Sequence, residues 1–181
     1  MNPSSSENRR AIVVTGPVGA GKTTIMATLT ELLEEHGIPN GGVDMDHFRW
    51  FYPKSTEDPF GGEIGRKNLA FVAANYRSIG ISTLVLADVV EHENNRLELQ
   101  TVLPDYSVVV VRLKVPMHLI EERLKVREST ENLQWYLNRA PELEQIMEDA
   151  SVGDFVIEVG QRNPREVAED IARQLQLIDP S

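Results

Sequence analysis

The first residues in this chain whose types and spacing suit a chemical task are Gly16-Pro17-Val18-Gly19-Ala20-Gly21-Lys22-Thr23, which fill the pattern G-x-x-x-x-G-K-[ST]. They follow a short β-branched run and precede a segment of helical period. Glycine is required there because successive backbone N–H groups must converge on phosphate oxygens, a concavity that side chains would obstruct. The helix behind such a loop aims its N-terminus at the same anion. In this geometry Lys22 reaches the β- and γ-phosphates and offsets charge on the group in transfer, while the Thr23 hydroxyl ligates Mg²⁺. Residues Gly16 to Thr24 are therefore the expected nucleotide-phosphate site.

A second group lies in Val43-Asp44-Met45-Asp46-His47-Phe48-Arg49. A carboxylate at the C-terminal end of a parallel strand faces the ligand crevice. The alternative is that Asp44 and Asp46 cap a turn. A third group is Glu121-Glu122-Arg123-Leu124-Lys125-Val126-Arg127, in which Arg123 and Arg127 stand one helical turn apart and share a face; ion pairs with Glu122 or Glu128 are the plainer reading. Asp88 ends an apolar strand, as an acid holding Mg²⁺ through water would, or is simply a polar strand end. Phe48, Trp50, Phe51 and Tyr52 either stack an acceptor ring or form a small core under a loop. Four histidines, His36, His47, His92 and His118, lack metal-ligand spacing.

These groups need elements to hold them, and the chain alternates short β-branched runs with helical segments, the mark of an α/β domain around a parallel sheet. Strands are expected at Ala11–Thr15, residues 42–46, Ile81–Ala87, Tyr106–Leu113 and Phe155–Val159. A helix with Ile25, Leu29, Leu32 and Leu33 on one face ends at Gly37. Others are expected at about Arg66–Ser78, Asn95–Leu103 and Pro116–Arg127. Residues 47–61 read as a Pro-rich aromatic loop, and 128–150 as a polar segment followed by a short helix. Asn163, Pro164 and Glu166 supply a cap, a first-turn proline and an acid at the third position for a last helix. Its apolar stripe is Val167, Ile171, Leu175 and Ile178.

The phosphate loop followed by D-x-D-x-x-R at Asp44, Asp46 and Arg49 resembles the adenylylsulfate kinase group of small P-loop kinases, whose pattern is D-G-D-N-I-R. The next helix, Arg66-Lys67-Asn68 through Gly80, is similar too, so motifs support the resemblance over about residues 11–90. Leu119–Arg127 is similar to the helix before the lid in adenylate kinase-like enzymes. The resemblance implies a P-loop NTPase fold, a three-layer α/β/α arrangement of a five-stranded parallel sheet in order 2-3-1-4-5, with a short lid at about 128–141. It implies ATP and Mg²⁺, with Lys22, Arg123 and Arg127 stabilising charge and Thr23 and Asp88 at the metal. Asp46 would orient or deprotonate an acceptor hydroxyl, with Arg49, Trp50 and Arg66 beside the acceptor and Arg139 as a lid contact. The implied reaction is γ-phosphoryl transfer to a small-molecule hydroxyl. After the third strand Ala87-Asp88-Val89-Val90 replaces the family's Phe-Ile-Ser-Pro-like turn, and the lid lacks an Arg-Asp-Pro-Lys-Gly-like segment, which points away from adenylylsulfate as acceptor. A non-catalytic nucleotide sensor and a kinase of nucleic-acid ends are the competing readings.

Other classes are excluded by what is missing. No N-K-x-D guanine-reading motif occurs, and Asp58-Pro59-Phe60-Gly61 matches D-x-x-G only within the Pro-rich loop. With 181 residues there is room for one domain, expected at 11–181 behind a polar tail, Met1–Arg10. The 18 basic and 28 acidic residues give a net charge of −10, which repels a phosphate backbone and disfavours nucleic acid as a partner. There is no cysteine, so disulfides and thiolate chemistry are excluded. No apolar run has signal-peptide or membrane-span length, and a cytoplasmic setting is expected.

Overall fold

The computed structural model describes residues 9–179. Its centre is β1 (Arg10–Thr15), whose Ala11, Ile12, Val13 and Val14 have no solvent exposure. A strand buried on both faces reads as an unbroken apolar run because helices cover each side of a parallel sheet. Around it lie β2 (Asn40–Asp44), β3 (Thr83–Ala87), β4 (Ser107–Lys114) and β5 (Phe155–Glu158), all parallel, in the order β2-β3-β1-β4-β5. The expected sheet order is the observed one.

One face of the sheet is covered by α1 (Lys22–Glu35), α5 (Met117–Arg127) and α7 (Pro164–Gln174), through Leu29, Leu33, Ile120, Val167 and Ile171. The other carries α3 (Gly62–Ser78) and α4 (Glu93–Val102), through Leu69, Ala73, Leu99 and Leu103. The start of α7 follows its sequence signals. Asn163 Oδ1 accepts the Glu166 N–H at 2.9 Å, and Glu166 Oε2 accepts the Asn163 N–H at 3.2 Å. The helix ends at Gln174, so Leu175 and Ile178 pack on the core from beyond it.

Beyond shifts of one or two residues at the ends of β3, β4, β5 and α4, four differences from expectation have a physical cause. The polar tail reaches less far than residue 10: Arg10 opens β1, pairs with Thr83 and Ser107, and donates from Nη1 to Leu175 O at 2.6 Å. Residues 1–8 of that tail lie outside the described residues. The second strand is Asn40–Asp44 rather than 42–46, with Gly41 and Gly42 inside it. Glycine is a poor strand former, but here close packing decides, since a Cβ on Gly41 would stand 2.6 Å from the Tyr76 ring and one on Gly42 2.8 Å from Met26 Sδ. Third, α3 begins at Gly62 because the Asp58 carboxylate accepts the N–H groups of Gly62 and Glu63 at 2.7 and 2.9 Å. The D-x-x-G match is a helix cap.

Fourth, residues 128–150 are not a polar segment and a short helix. A single 20-residue helix, α6 (Thr130–Asp149), runs through Pro141, whose missing N–H and ring clash usually stop a helix. Burial of Ala140, Leu143 and Met147 holds it, together with a clamp in which Arg112 Nη2 on β4 donates to Glu144 at 2.8 Å and Glu148 at 2.7 Å. Arg112 is 2% exposed. Breaking a buried ion pair from one side leaves uncompensated charge. Arg112→Ala is accordingly expected to lower the free energy of unfolding in urea by about 3 kcal/mol. Arg165→Ala, which removes the exposed bidentate contact to Glu35, should leave the urea midpoint nearly unchanged.

Candidate functional site

The phosphate loop lies between β1 and α1, at the edge where the parallel strands end. Gly21 precedes α1 with φ +95°, a left-handed conformation that favours glycine, and no side chain caps the helix. The first N–H groups of α1 are thus open to an anion. Lys22 Nζ donates to the carbonyls of Gly16 at 3.0 Å and Pro17 at 3.1 Å. Burial lowers its pKa to about 8, against the opposing pull of Asp46 and Asp88. From α5, Arg123 Nη1 donates to Ala20 O at 3.2 Å, which puts that guanidinium on the loop.

The two carboxylates of D-x-D separate in role. Met45–Phe48 is a short helix, α2, so Asp46 lies inside it and not at a strand end as expected. Asp44 is its N-cap: Oδ1 accepts the Asp46 N–H at 3.0 Å, while Oδ2 accepts the Thr23 hydroxyl at 2.7 Å. Turn capping and contact with the phosphate loop are therefore the same residue's work. Asp46 is the second residue of α2, and its charge opposes the effect of burial on Lys22 more than that of any other acid.

Asp88 is 6% exposed and stands at the end of β3. Its Oδ1 accepts from Arg49 Nη2 at 2.6 Å and from the Val89 N–H at 2.8 Å. Burial raises its pKa, with Arg49 pulling the other way. Arg49 lies flat on α3 because residue 65 has no side chain; a Cβ there would stand 2.9 Å from Arg49 Cγ. Arg49 and Asp88, read from sequence as an acceptor contact and a metal contact, are thus one partly buried ion pair.

The remaining candidates are spread more widely. Arg127 Nε donates to Glu128 at 2.6 Å and its guanidinium lies over Tyr136. Arg66 pairs with Glu98 at 3.1 Å, and Arg139 with Glu91 at 2.7 Å and Glu142 at 2.9 Å. Trp50 is 85% exposed, within reach of His47, and Tyr52 is almost fully exposed, whereas Phe48 packs against the core on the α3 side of the sheet. Phe51 lies under the Lys54 ammonium. Among the described residues no three His, Cys, Asp or Glu side chains are grouped to hold a metal by themselves. Sequence reasoning gave Asp44 no more than a place behind Asp46 and passed over Glu91 and Gly65. Asp44 was recoverable from its position at a helix start, whereas Glu91 and Gly65 carry no local signal.

The sheet order, the loop ahead of α1 and the lysine within it define a P-loop kinase, an ATP-binding transferase. The pattern of the adenylylsulphate kinase family matches residues 8–127, well over half of the chain, and the chain belongs to that family. No curated protein sequence matches it. Among solved structures it is similar to the Mycobacterium tuberculosis APS kinase in complex with AMPPNP and APS, with 20% identity, TM-score 0.65, and 93% of this chain and 98% of that one covered. A shikimate kinase from Acinetobacter baumannii in complex with shikimate superposes with TM-score 0.60 at 24% identity, covering 94% and 95%. The tunicamycin resistance protein of Deinococcus radiodurans does so with 0.64 at 20%, covering 96% and 99%. Among the described residues no helix is long and apolar enough to cross a membrane.

The Lys22 environment generates a pH prediction. A triphosphate beside the ammonium must raise its pKa from about 8, so nucleotide binding takes up protons near pH 8. Affinity for ATP should weaken as pH rises above 8, by up to about tenfold per unit. Calorimetric titration at pH 8 in buffers of different ionisation enthalpy reads the uptake directly; heats independent of buffer would refute it.

Proposed function

We propose that the chain transfers the γ-phosphoryl group of Mg²⁺-ATP to a hydroxyl of a small acceptor. The observation that carries this reading is the short helix α2, which sets Asp46 two residues beyond Asp44, whose Oδ2 accepts the Thr23 hydroxyl of the phosphate loop at 2.7 Å. A base beside the γ-phosphate position is what transfer to a hydroxyl needs and nucleotide binding alone does not. The relatives support it, since one was solved with AMPPNP and APS and another with shikimate.

The donor set fits the nucleotide. The open N–H groups of α1, Lys22 and Arg123 face the phosphates, and Thr23 with Asp44 offers two oxygens 2.7 Å apart for Mg²⁺ or its waters. Asp44 replaces Asp88 in that role, because Asp88 is committed to Arg49. Mg²⁺ would neutralise charge on the β- and γ-phosphates when bound. With no side-chain cage of its own, the metal depends on the nucleotide for most of its ligands.

In the step itself the acceptor oxygen forms a bond to the γ-phosphorus as the bond to the β,γ-bridging oxygen breaks, ADP leaves, and the hydroxyl proton passes to Asp46. Lys22 and Arg123 hold the charge that spreads over the phosphoryl oxygens. Arg127 and Arg139 stand on either side of the α5–α6 junction, and residues 128–141 are the segment to close over the site as a lid.

Asp46→Asn keeps the shape and removes the base. It is expected to reduce transfer by about 10²-fold or more while ATP affinity stays within about twofold. The assay is incubation with Mg²⁺-ATP and a deproteinised metabolite extract, followed by mass spectrometry for species that gain one phosphoryl group, with Lys22→Ala as control. Loss of ATP binding in Asp46→Asn would reassign Asp46 to the metal.

A further inference from the structure

The acceptor half of the cleft has a charge pattern of its own. One segment, from Asp88 at the end of β3 to Glu98 in α4, supplies an acid to each of three arginines on three surrounding elements. Asp88 holds Arg49 behind α2 at 2.6 Å, Glu91 holds Arg139 on α6 at 2.7 Å, and Glu98 holds Arg66 on α3 at 3.1 Å. The segment is pinned beside the phosphate loop. The Val90 N–H donates to Thr15 Oγ1 at 2.9 Å, and the N–H groups of Glu91 and His92 donate to Asn95 Oδ1 at 3.1 and 3.2 Å.

We propose that the acceptor carries no net negative charge, and is a neutral or cationic hydroxyl compound such as a polyol or an amino-polyol. The inference rests on the kinase reading above. An anionic acceptor needs positive charge that is not already compensated, yet Arg49, Arg66 and Arg139 each face a carboxylate. Drawing Arg49 away would strand Asp88, which is 6% exposed, and an unpaired buried carboxylate is the costly outcome of splitting such a pair. The balance of charges agrees. With Asp44 turned to Thr23 and the metal, Asp46, Asp58, Asp88, Glu91 and Glu98 stand against Arg49, Lys54, Arg66 and Arg139, five acids to four bases. Lys54 is itself turned to the Arg49 carbonyl and the Phe51 ring, while Lys22 and Arg123 face the nucleotide. An excess of acid repels an anion and attracts a cation over the range of the Debye length.

The test fills the nucleotide site with Mg²⁺-AMPPNP and titrates inorganic sulfate, shikimate and adenylylsulfate by calorimetry. No saturable binding of these anions is expected up to about 5 mM. In Glu91→Gln/Glu98→Gln, which frees Arg66 and leaves Arg139 with Glu142 alone, at partly exposed positions where the amides stay hydrated, their affinity should rise at least about tenfold. Binding of any of the three to the unaltered protein with Kd below about 0.1 mM would overturn the proposal. So would a double variant that keeps its thermal midpoint and gains nothing. ADP release with neutral, cationic and anionic hydroxyl compounds separates the two readings: release with anions alone defeats the charge inference, whereas no release with any class defeats the kinase reading and leaves the binding result to decide the charge.

Discussion

The phosphate loop, Asp44 and Asp88 are brought to one edge by the direction of the sheet. Because all five strands are parallel, their C-terminal ends share one edge, and the register sets which ends are neighbours. Val14 and Asp44 both lie opposite Ala87, so the loop after β1, the helix after β2 and the segment after β3 start side by side. Along β1, Ile12 and Val14 pack into the layer of α1, α5 and α7, and Ala11 and Val13 into that of α3 and α4. The site is thus a consequence of packing far below it.

That dependence explains which features were legible in the sequence. The phosphate loop is local: its glycines, lysine and threonine are contiguous, and its function lies in its backbone, so eight residues are enough to recognise it. The strand order followed from the family that the motif indicated, and Asn163, Pro164 and Glu166 announced their helix because caps are short-range. Where a boundary was misjudged, a distant group had overridden local propensity. Tyr76 and Met26 make a strand of Asn40-Gly41-Gly42, and burial with the Arg112 clamp carries α6 through Pro141. Neither partner is visible from the residues it changes.

The acceptor side was the least legible part because it is made of pairs. Arg49 and Asp88 are 39 residues apart, and Arg139 and Glu91 are 48 apart. Each of these residues has a plausible role when considered alone, and the first pair has another when its members meet. Arg49 looked like a free cation for a substrate and Asp88 like a free acid for a metal. Joined, they neutralise one another and serve as a partly buried brace between α2 and β3. The same applies to Asp44, where capping and function seemed to compete. A carboxylate has two oxygens, and here one accepts the α2 backbone while the other accepts Thr23, so the cap is what aims the second oxygen.

The protein accordingly divides into a half that can be shared across kinases and a half that cannot. Binding triphosphate uses backbone N–H groups, one lysine and a helix end, and the ligand is always an anion, so little in that half is free to vary. The acceptor half has no such fixed ligand, and its electrostatics follow from which side chains are paired before the substrate arrives. Segment 88–98 begins in the turn Ala87-Asp88-Val89-Val90, where this chain departs from the adenylylsulfate kinase pattern, and it carries the acids paired with the arginines. A change of acceptor in such a fold therefore needs no new loop and no new cation. Where each arginine already faces an acid, these pairs set the charge an acceptor meets, and the phosphate loop, built from backbone groups and Lys22, is independent of them.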